Sequence, residues 1–271
     1  MDKKIFMYDY FRNQALSKIV GNLGKVVESD DKIICYVDEN KIKRKKSILV
    51  IDCSKKEELC EKYNINKPIY YILEGININE NKKLFISGSN CNVIIRNCNF
   101  NIDTSIYIEG KCILDNTYIK SFFITPFYAH ELIIKNMNRR IEDVEPNLVM
   151  AFSARDKISV IDSNVGQENC QNSIFFNSKN EINFINSKIS GDIIKCTCKK
   201  IIMDNTSYII SKNKVYIESK TSTLKNITSP SIVLNDSEVS NEVKSILCNF
   251  ELLEKIKNET QNFSLIPRCN N

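Results

Sequence analysis

Glycine and proline are both scarce in this 271-residue chain, at 7 and 5 residues, so most tight corners must be turned by something else. Asparagine is the obvious substitute, because its short polar side chain tolerates the left-handed backbone conformation and can hydrogen-bond locally. Tryptophan is absent and histidine occurs once, at His130. No apolar run reaches the length of a signal-peptide core or a membrane span, which predicts a chain that is neither exported nor held in a bilayer. Cysteine is plentiful, but 11 is an odd number. Scattered thiols without an export signal suit reduced cysteines in the cytoplasm better than a disulfide framework. Sequons such as those at Asn226, Asn258 and Asn262 then carry no glycosylation meaning. A hydrophobic content of 42% and a net charge of +5 describe an ordinary folded chain.

One short pattern recurs: apolar, any, apolar, any, Asn or Asp, then a small or apolar residue. It reads Val93-Ile-Ile-Arg-Asn97-Cys98, Cys112-Ile-Leu-Asp-Asn116-Thr117 and Leu132-Ile-Ile-Lys-Asn136-Met137. It returns as Ile158-Ser-Val-Ile-Asp162-Ser163, Ile182-Asn-Phe-Ile-Asn186-Ser187, Ile201-Ile-Met-Asp-Asn205-Thr206 and Ser222-Thr-Leu-Lys-Asn226-Ile227. The mean interval is 21.5 residues. A leucine-rich repeat would put Leu at several fixed offsets, whereas Ile, Val, Phe and Cys stand here, so the period selects a three-strand coil of a parallel β-helix. Period-two alternation stacks Ile95, Leu114, Ile134, Val160, Phe184, Met203 and Leu224 inside the tube. After each corner the inward positions continue with pairs such as Cys98 and Phe100, Ser187 and Ile189, and Thr206 and Tyr208. The corner asparagines, one above another at about 4.8 Å, are placed for a ladder of side-chain amide hydrogen bonds.

The expected fold is therefore all-β: a right-handed, single-stranded parallel β-helix of about seven coils over residues 81–239. Exposed strand edges at the ends of a solenoid need covering. Residues 1–80 read as a small α+β cap. Leu16, Ile19, Val20 and Leu23 share one helix face, Lys32–Val37 and Ser47–Cys53 read as strands, and Ser54-Lys-Lys-Glu57 opens a second helix through Tyr63. Residues 240–271 read as a C-terminal helical cap and tail, with apolar residues at helical spacing from Val243 to Ile256. Ile232-Val-Leu-Asn-Asp236-Ser237 fits the pattern only ten residues beyond Asn226, and reads as another strand of the last coil.

The pattern apolar-x-apolar-x-Asn-Cys/Ser/Thr-x-apolar resembles the pectin-lyase-like β-helix superfamily over the middle three-fifths of the chain. The resemblance implies the fold and leaves the activity open, because members include pectate lyases, polygalacturonases, sugar epimerases, phage tailspikes and repeat proteins without known activity. A polygalacturonase-like site would need Asn-Thr-Asp, paired aspartates on the solenoid and Gly-His-Gly. Here the paired aspartates are Asp30-Asp31, and His130 stands between Ala and Glu. The pectate-lyase Trp-Ile-Asp-His pattern needs a tryptophan that the chain lacks.

The longest interval, 26 residues from Asn136 to Asp162, predicts a bulging loop and the most promising surface. Three of the seven arginines fall there, and Arg139 takes a place where other coils put an apolar residue. Glu142, Asp143 or Asp156 are the candidate general acids or bases, and Arg139, Arg140 and Arg155 the candidate ligand-binding clamps for a carboxylate or phosphate. A solvated loop whose charges pair with each other is the simpler reading of the same residues. His130 is a candidate proton shuttle, or a partly buried packing residue beside Phe127 and Tyr128.

Lys41-Ile-Lys-Arg-Lys-Lys46 reads as a solvated hairpin tip; without interleaved aromatics it argues against a nucleic-acid partner. Cys196-Thr-Cys198 has no second pair at metal-site spacing, so no zinc or other metal site and no cofactor is expected. Cys98, Cys112 and Cys196 read as fillers of small interior slots. These features predict a non-catalytic binding or scaffold protein whose partner is a macromolecule or a glycan. The alternative is a carbohydrate-active lyase, hydrolase or epimerase with its site near residues 130–157.

Overall fold

The computed structural model describes residues 23–44, 46–53, 67–121, 127–138, 149–166 and 172–239. These form 21 strands, wound as a parallel β-solenoid of about seven turns with almost no helix. Each full coil contributes to three faces. Face A stacks Ile69–Glu74, Asn92–Arg96, Lys111–Asp115, Glu181–Ile185 and Lys200–Met203, with the ends of Phe127–Lys135 and Val149–Ile161 between them. Face B follows the asparagine corner and includes Tyr118–Ser121, Asn164–Gly166 and the start of Lys188–Thr197. Face C includes Lys83–Gly88, Ser173–Ser178 and Ile232–Val239.

Alternation builds the interior as expected. Ile95, Leu114, Ile134, Val160, Phe184, Met203 and Leu224 are all buried. The column also continues to Leu73 in an earlier coil. From face C, Phe152 stacks on Phe176 at 5.1 Å, and Phe176 meets Phe184 of face A edge-on at 5.3 Å, filling this part of the tube with rings.

The corners obey the left-handed rule in five of the expected coils. Asn97, Asn116, Asn136, Asp162 and Asn186 have φ between 45° and 54°. The backbone N–H of each of the first four donates to the carbonyl just before the corner one coil on, as from Asn97 to Asp115 at 3.0 Å. The amide ladder is interrupted, however. Asn116 donates to Asn97 at 2.8 Å and Asn186 to Asp162 at 2.7 Å, but Asn136 turns to the Asp115 carboxylate at 2.8 Å. Asp162 has no side-chain N–H to pass the chain downward.

The last two expected rungs differ. At Asn205 the chain makes a wider turn, in which Asp204 accepts from the Thr206 N–H and from the backbone N–H of Asn186. The extra residue reverses the sides that follow: Thr206 and Tyr208 are exposed, while Ser207 and Ile209 are buried. Asn226 aligns with Tyr208 rather than with Asn205, and its amide donates to the carbonyls of Asn205 and Ser207. It caps the wide turn from the next coil.

Just inside the corners runs a buried polar ladder. The hydroxyls of Ser163, Ser187 and Ser207 accept the backbone N–H groups of Met137, Ser163 and Ser187 at 3.1, 3.2 and 3.0 Å. Ser187→Ala deprives the Ser163 N–H of its acceptor, and urea unfolding should register a loss of about 1–3 kcal/mol. A loss within error would show that this N–H finds another partner.

The described part of the segment expected as a separate α+β cap contributes strands to the same solenoid. Ile33–Val37 pairs parallel with Ile69–Glu74, and Ile48–Asp52 with Lys83–Gly88. Two antiparallel neighbours, Leu23–Glu28 and Lys43–Arg44, cover the free edges of these first strands. The basic run lies in the second of these hairpins, where Arg44 pairs with Glu80 at 3.1 Å. The expected helices at 54–63 and 240–258 lie outside the described residues, as does all but Leu23 of the first helix face. Ile232–Val239 pairs in parallel with Tyr208–Thr223 on face C, as a strand of the last coil.

Candidate functional site

The corner from face C to face A brings two of the candidate residues together. In one coil Ala129, His130 and Glu131 run in register with the next, where Ala129 pairs with Ala154 and Glu131 with Lys157. Two residues, Arg155 and Asp156, therefore stand opposite one, and the bulge swings Asp156 over His130. The His130 Nδ1 lies 3.1 Å from Asp156 Oδ2; since an ionised carboxylate only accepts, the imidazole nitrogen donates. Asn180, one coil further, extends its amide to Asp156 Oδ1 at 3.5 Å. The backbone beneath is fixed by His130 N–H donating to the Gly110 carbonyl and by the Ser178 hydroxyl donating to the Asp156 carbonyl.

An imidazole oriented by a carboxylate is the geometry of a general base. Both side chains are about half exposed, at 48% and 49%, at this corner. Arg155 is exposed beside them, with no ion-pair partner among the described residues. Arg139, Arg140, Glu142 and Asp143 lie outside the described residues. A small hollow of about 10 Å³, room for little more than one water, lies beside face B, bordered by the buried Thr117, Ile119, Met137, Met150 and Val165. Its lining holds no carboxylate, histidine or cysteine.

Among the described residues, no group of three or more His, Cys, Asp or Glu side chains is arranged to hold a metal ion. Cys196 and Cys198 are both buried and form no disulfide, and burial followed by its neighbour Cys198 pushes the Cys196 thiol up. Cys35, Cys53, Cys91 and Cys112 are likewise buried without disulfides. Burial raises Cys35 to about 11 and Cys112 to about 12, so these thiols are neutral packing groups rather than nucleophiles.

The outer surface of face A is organised in stacked ion pairs. Glu74 pairs with Arg96, Lys111 with Glu131, Asp115 with Lys135 and Lys157 with Glu181, at 2.7–2.8 Å, each reaching the coil next to it. Between those rows, Ile94, Ile113 and Ile133 stack in register and are half-buried, while Ile72, in the same column of the coil before, is buried. Sequence reasoning named His130 and Asp156 separately and missed their contact. No described helix is long and apolar enough to cross a membrane. No family model, curated protein or solved structure matches this sequence.

Proposed function

We propose that this chain is a non-catalytic binding solenoid that presents its flat stacked faces and one charged corner to a macromolecular or glycan partner. The observation that carries this reading is the setting of His130 and Asp156. They meet at a corner where both are about half exposed and no described residue walls them off from water, whereas a general base is most effective in a water-excluded site. A second reading, a carbohydrate-active enzyme, is favoured by the 3.1 Å contact itself. The same proposal takes the winding as right-handed, as in the pectin-lyase-like β-helices, because crossover connections between parallel strands adopt that hand. It adds a helical cap over residues 240–258 and a cytoplasmic location, the latter supported by the buried thiols that form no disulfide among the described residues.

The test is incubation of the full chain with a panel of acidic polysaccharides, following binding, new reducing ends and the absorbance of unsaturated uronates together. The expected result is saturable binding without turnover, unchanged by Asp156→Asn. Turnover that disappears in both His130→Gln and Asp156→Asn would overturn the non-catalytic reading.

A further inference from the structure

The charges on face A follow a rule that contacts within the chain do not require. At the first flank of its strands the register stacks Lys111, Glu131, Lys157, Glu181 and Lys200, so the sign alternates through five consecutive coils. At the other flank, four residues on, Glu74, Arg96, Asp115 and Lys135 alternate through four coils, and Ile161 and Ile185 follow. Alternation along each flank has a local cause, because like charges stacked in a sheet repel. The phase between the flanks has none. Lys111 shares a coil with Asp115, Glu131 with Lys135 and Lys200 with Asp204, and no coil from Tyr70 to Asp204 carries the same sign at both flanks. Four residues of strand hold the flanks about 13 Å apart, beyond the Debye length at physiological salt, so one hardly senses the other.

We infer that face A docks on face A of a second copy of this chain, the two solenoids lying parallel about a two-fold axis along their length. That axis brings each flank opposite the other flank of the same coil. Lys111 then meets Asp115 of the second copy, Glu131 meets Lys135 and Lys200 meets Asp204, and no position meets its own sign. The flanks are open for this: Lys111, Glu131 and Lys135 keep 33–41% of their side-chain surface in solvent. Sheets stacked at about 10 Å leave a gap that lysine and glutamate stems can span. Along the axis the half-buried Ile94, Ile113 and Ile133, followed by Ser159, Asn183 and Ile202, each lie against their own copy. Docking also covers Ile185, which is 43% exposed in the single chain. Such an isologous contact closes at two copies and leaves no surface for a filament. The seven coils from Tyr70 to Asp204, five residues wide, give a contact of about 500 Å² on each copy, the low end for a specific interface, so the dimer is of micromolar strength. The inference goes beyond the binding reading above and does not depend on it.

The experiment is sedimentation velocity of the full chain over a range of concentrations, with native mass spectrometry of mixtures. The parent should dimerise at micromolar concentration, and less so as salt is raised. Ile113→Arg sets two like charges against each other on the axis and should weaken dimerisation about tenfold or more. A second variant carries Lys111→Glu, Asp115→Lys, Glu131→Lys and Lys135→Glu together, which keeps both ion pairs within the chain but exchanges their signs. It should dimerise with itself about as well as the parent, yet form mixed dimers with the parent at well below the statistical half. Arg96 and Lys157 become like-charged neighbours of the altered block, so thermal melts check that it folds; Ile113→Arg carries the test if it does not. Ile113→Cys should be joined to its own copy by a short bismaleimide, at a yield that the parent's thiols do not reach. Cross-linking that needs Ile113→Cys in one chain and Ile133→Cys in the other would overturn the parallel arrangement. A parent that stays monomeric, or mixed dimers at the statistical half, would overturn docking through face A. Either result leaves polysaccharide binding to be judged by its own test.

Discussion

Between pH 8 and pH 10 the folded chain should lose most of its stability, because its interior holds thiols that ionise only when it unfolds. Burial is the first cause at each. Cys35 and Cys98 are raised to about 11 and Cys112 to about 12, while Cys53 and Cys196 are raised as well. An unfolded cysteine titrates near 8.5, so below that value both states are protonated and the thiols cost nothing. As pH rises past it, the unfolded chain releases protons that the folded chain keeps, and the balance moves toward unfolding. Each such thiol contributes about 1.4 kcal/mol per pH unit, so five together approach the whole 5–15 kcal/mol of a typical domain by about pH 10. Urea titrations at half-unit steps of pH should show this slope. The double variant Cys112→Val, Cys196→Val keeps apolar volume in both slots and should flatten the slope by about 3 kcal/mol per unit. A slope that is the same in parent and variant would show that other groups govern alkaline unfolding.

The second large effect separates two uses of glycine. Gly110 has ordinary backbone angles, but a Cβ there would lie 2.0 Å from the Cys91 carbonyl oxygen and 2.8 Å from its carbon. The obstacle is backbone of the neighbouring coil, which cannot turn aside, so Gly110→Ala should cost about 3 kcal/mol or more and lower the thermal midpoint by many degrees. Gly75 is the opposite case: its φ is 66° and nothing lies within 4 Å of an added Cβ. It occupies the corner that Asn97 and Asn116 take in the following coils, and its N–H donates to the Arg96 carbonyl in the same way. Gly75→Ala should cost about 1 kcal/mol from the left-handed backbone alone, and Gly75→Asn should be close to neutral. Thermal melts of the three variants should rank them in that order. An asparagine at 75 as damaging as the alanine at 110 would refute the equivalence of these corners.

Gly75 also shows why part of the solenoid was hidden in the sequence. Ile69-Tyr-Tyr-Ile-Leu73-Glu-Gly75 has the alternation of the other rungs, but a search keyed to Asn or Asp at the corner passes over a glycine that serves the same φ. Asn205 and Asn226 were misread for the reverse reason. The residue type recurred, yet one turn had been widened by Asp204 and the next coil shortened to match. The candidate site was legible as residues and illegible as an arrangement. His130 and Asp156 are 26 positions apart, and their contact depends on a one-residue bulge between Ala154 and Lys157, opposite His130, that no local pattern announces.

What the amino-acid order determined by itself was the repeating unit: apolar side chains at every second place, and short amides where φ must turn positive. These are local requirements, met within each coil, and the buried column from Ile95 to Leu224 satisfies them. Only the tertiary structure decided which side chains share a column away from the asparagine corner. Coil lengths vary, so an alignment anchored at one corner loses phase before the next, and backbone hydrogen bonds between coils set the register there instead. Arg155, Lys179 and Lys199 share one position of three consecutive coils for that reason: seven residues before Asp162 and Asn186 stand Arg155 and Lys179, but Lys199 is six before Asn205. Their charges line up only because the strands of face C pair one above another.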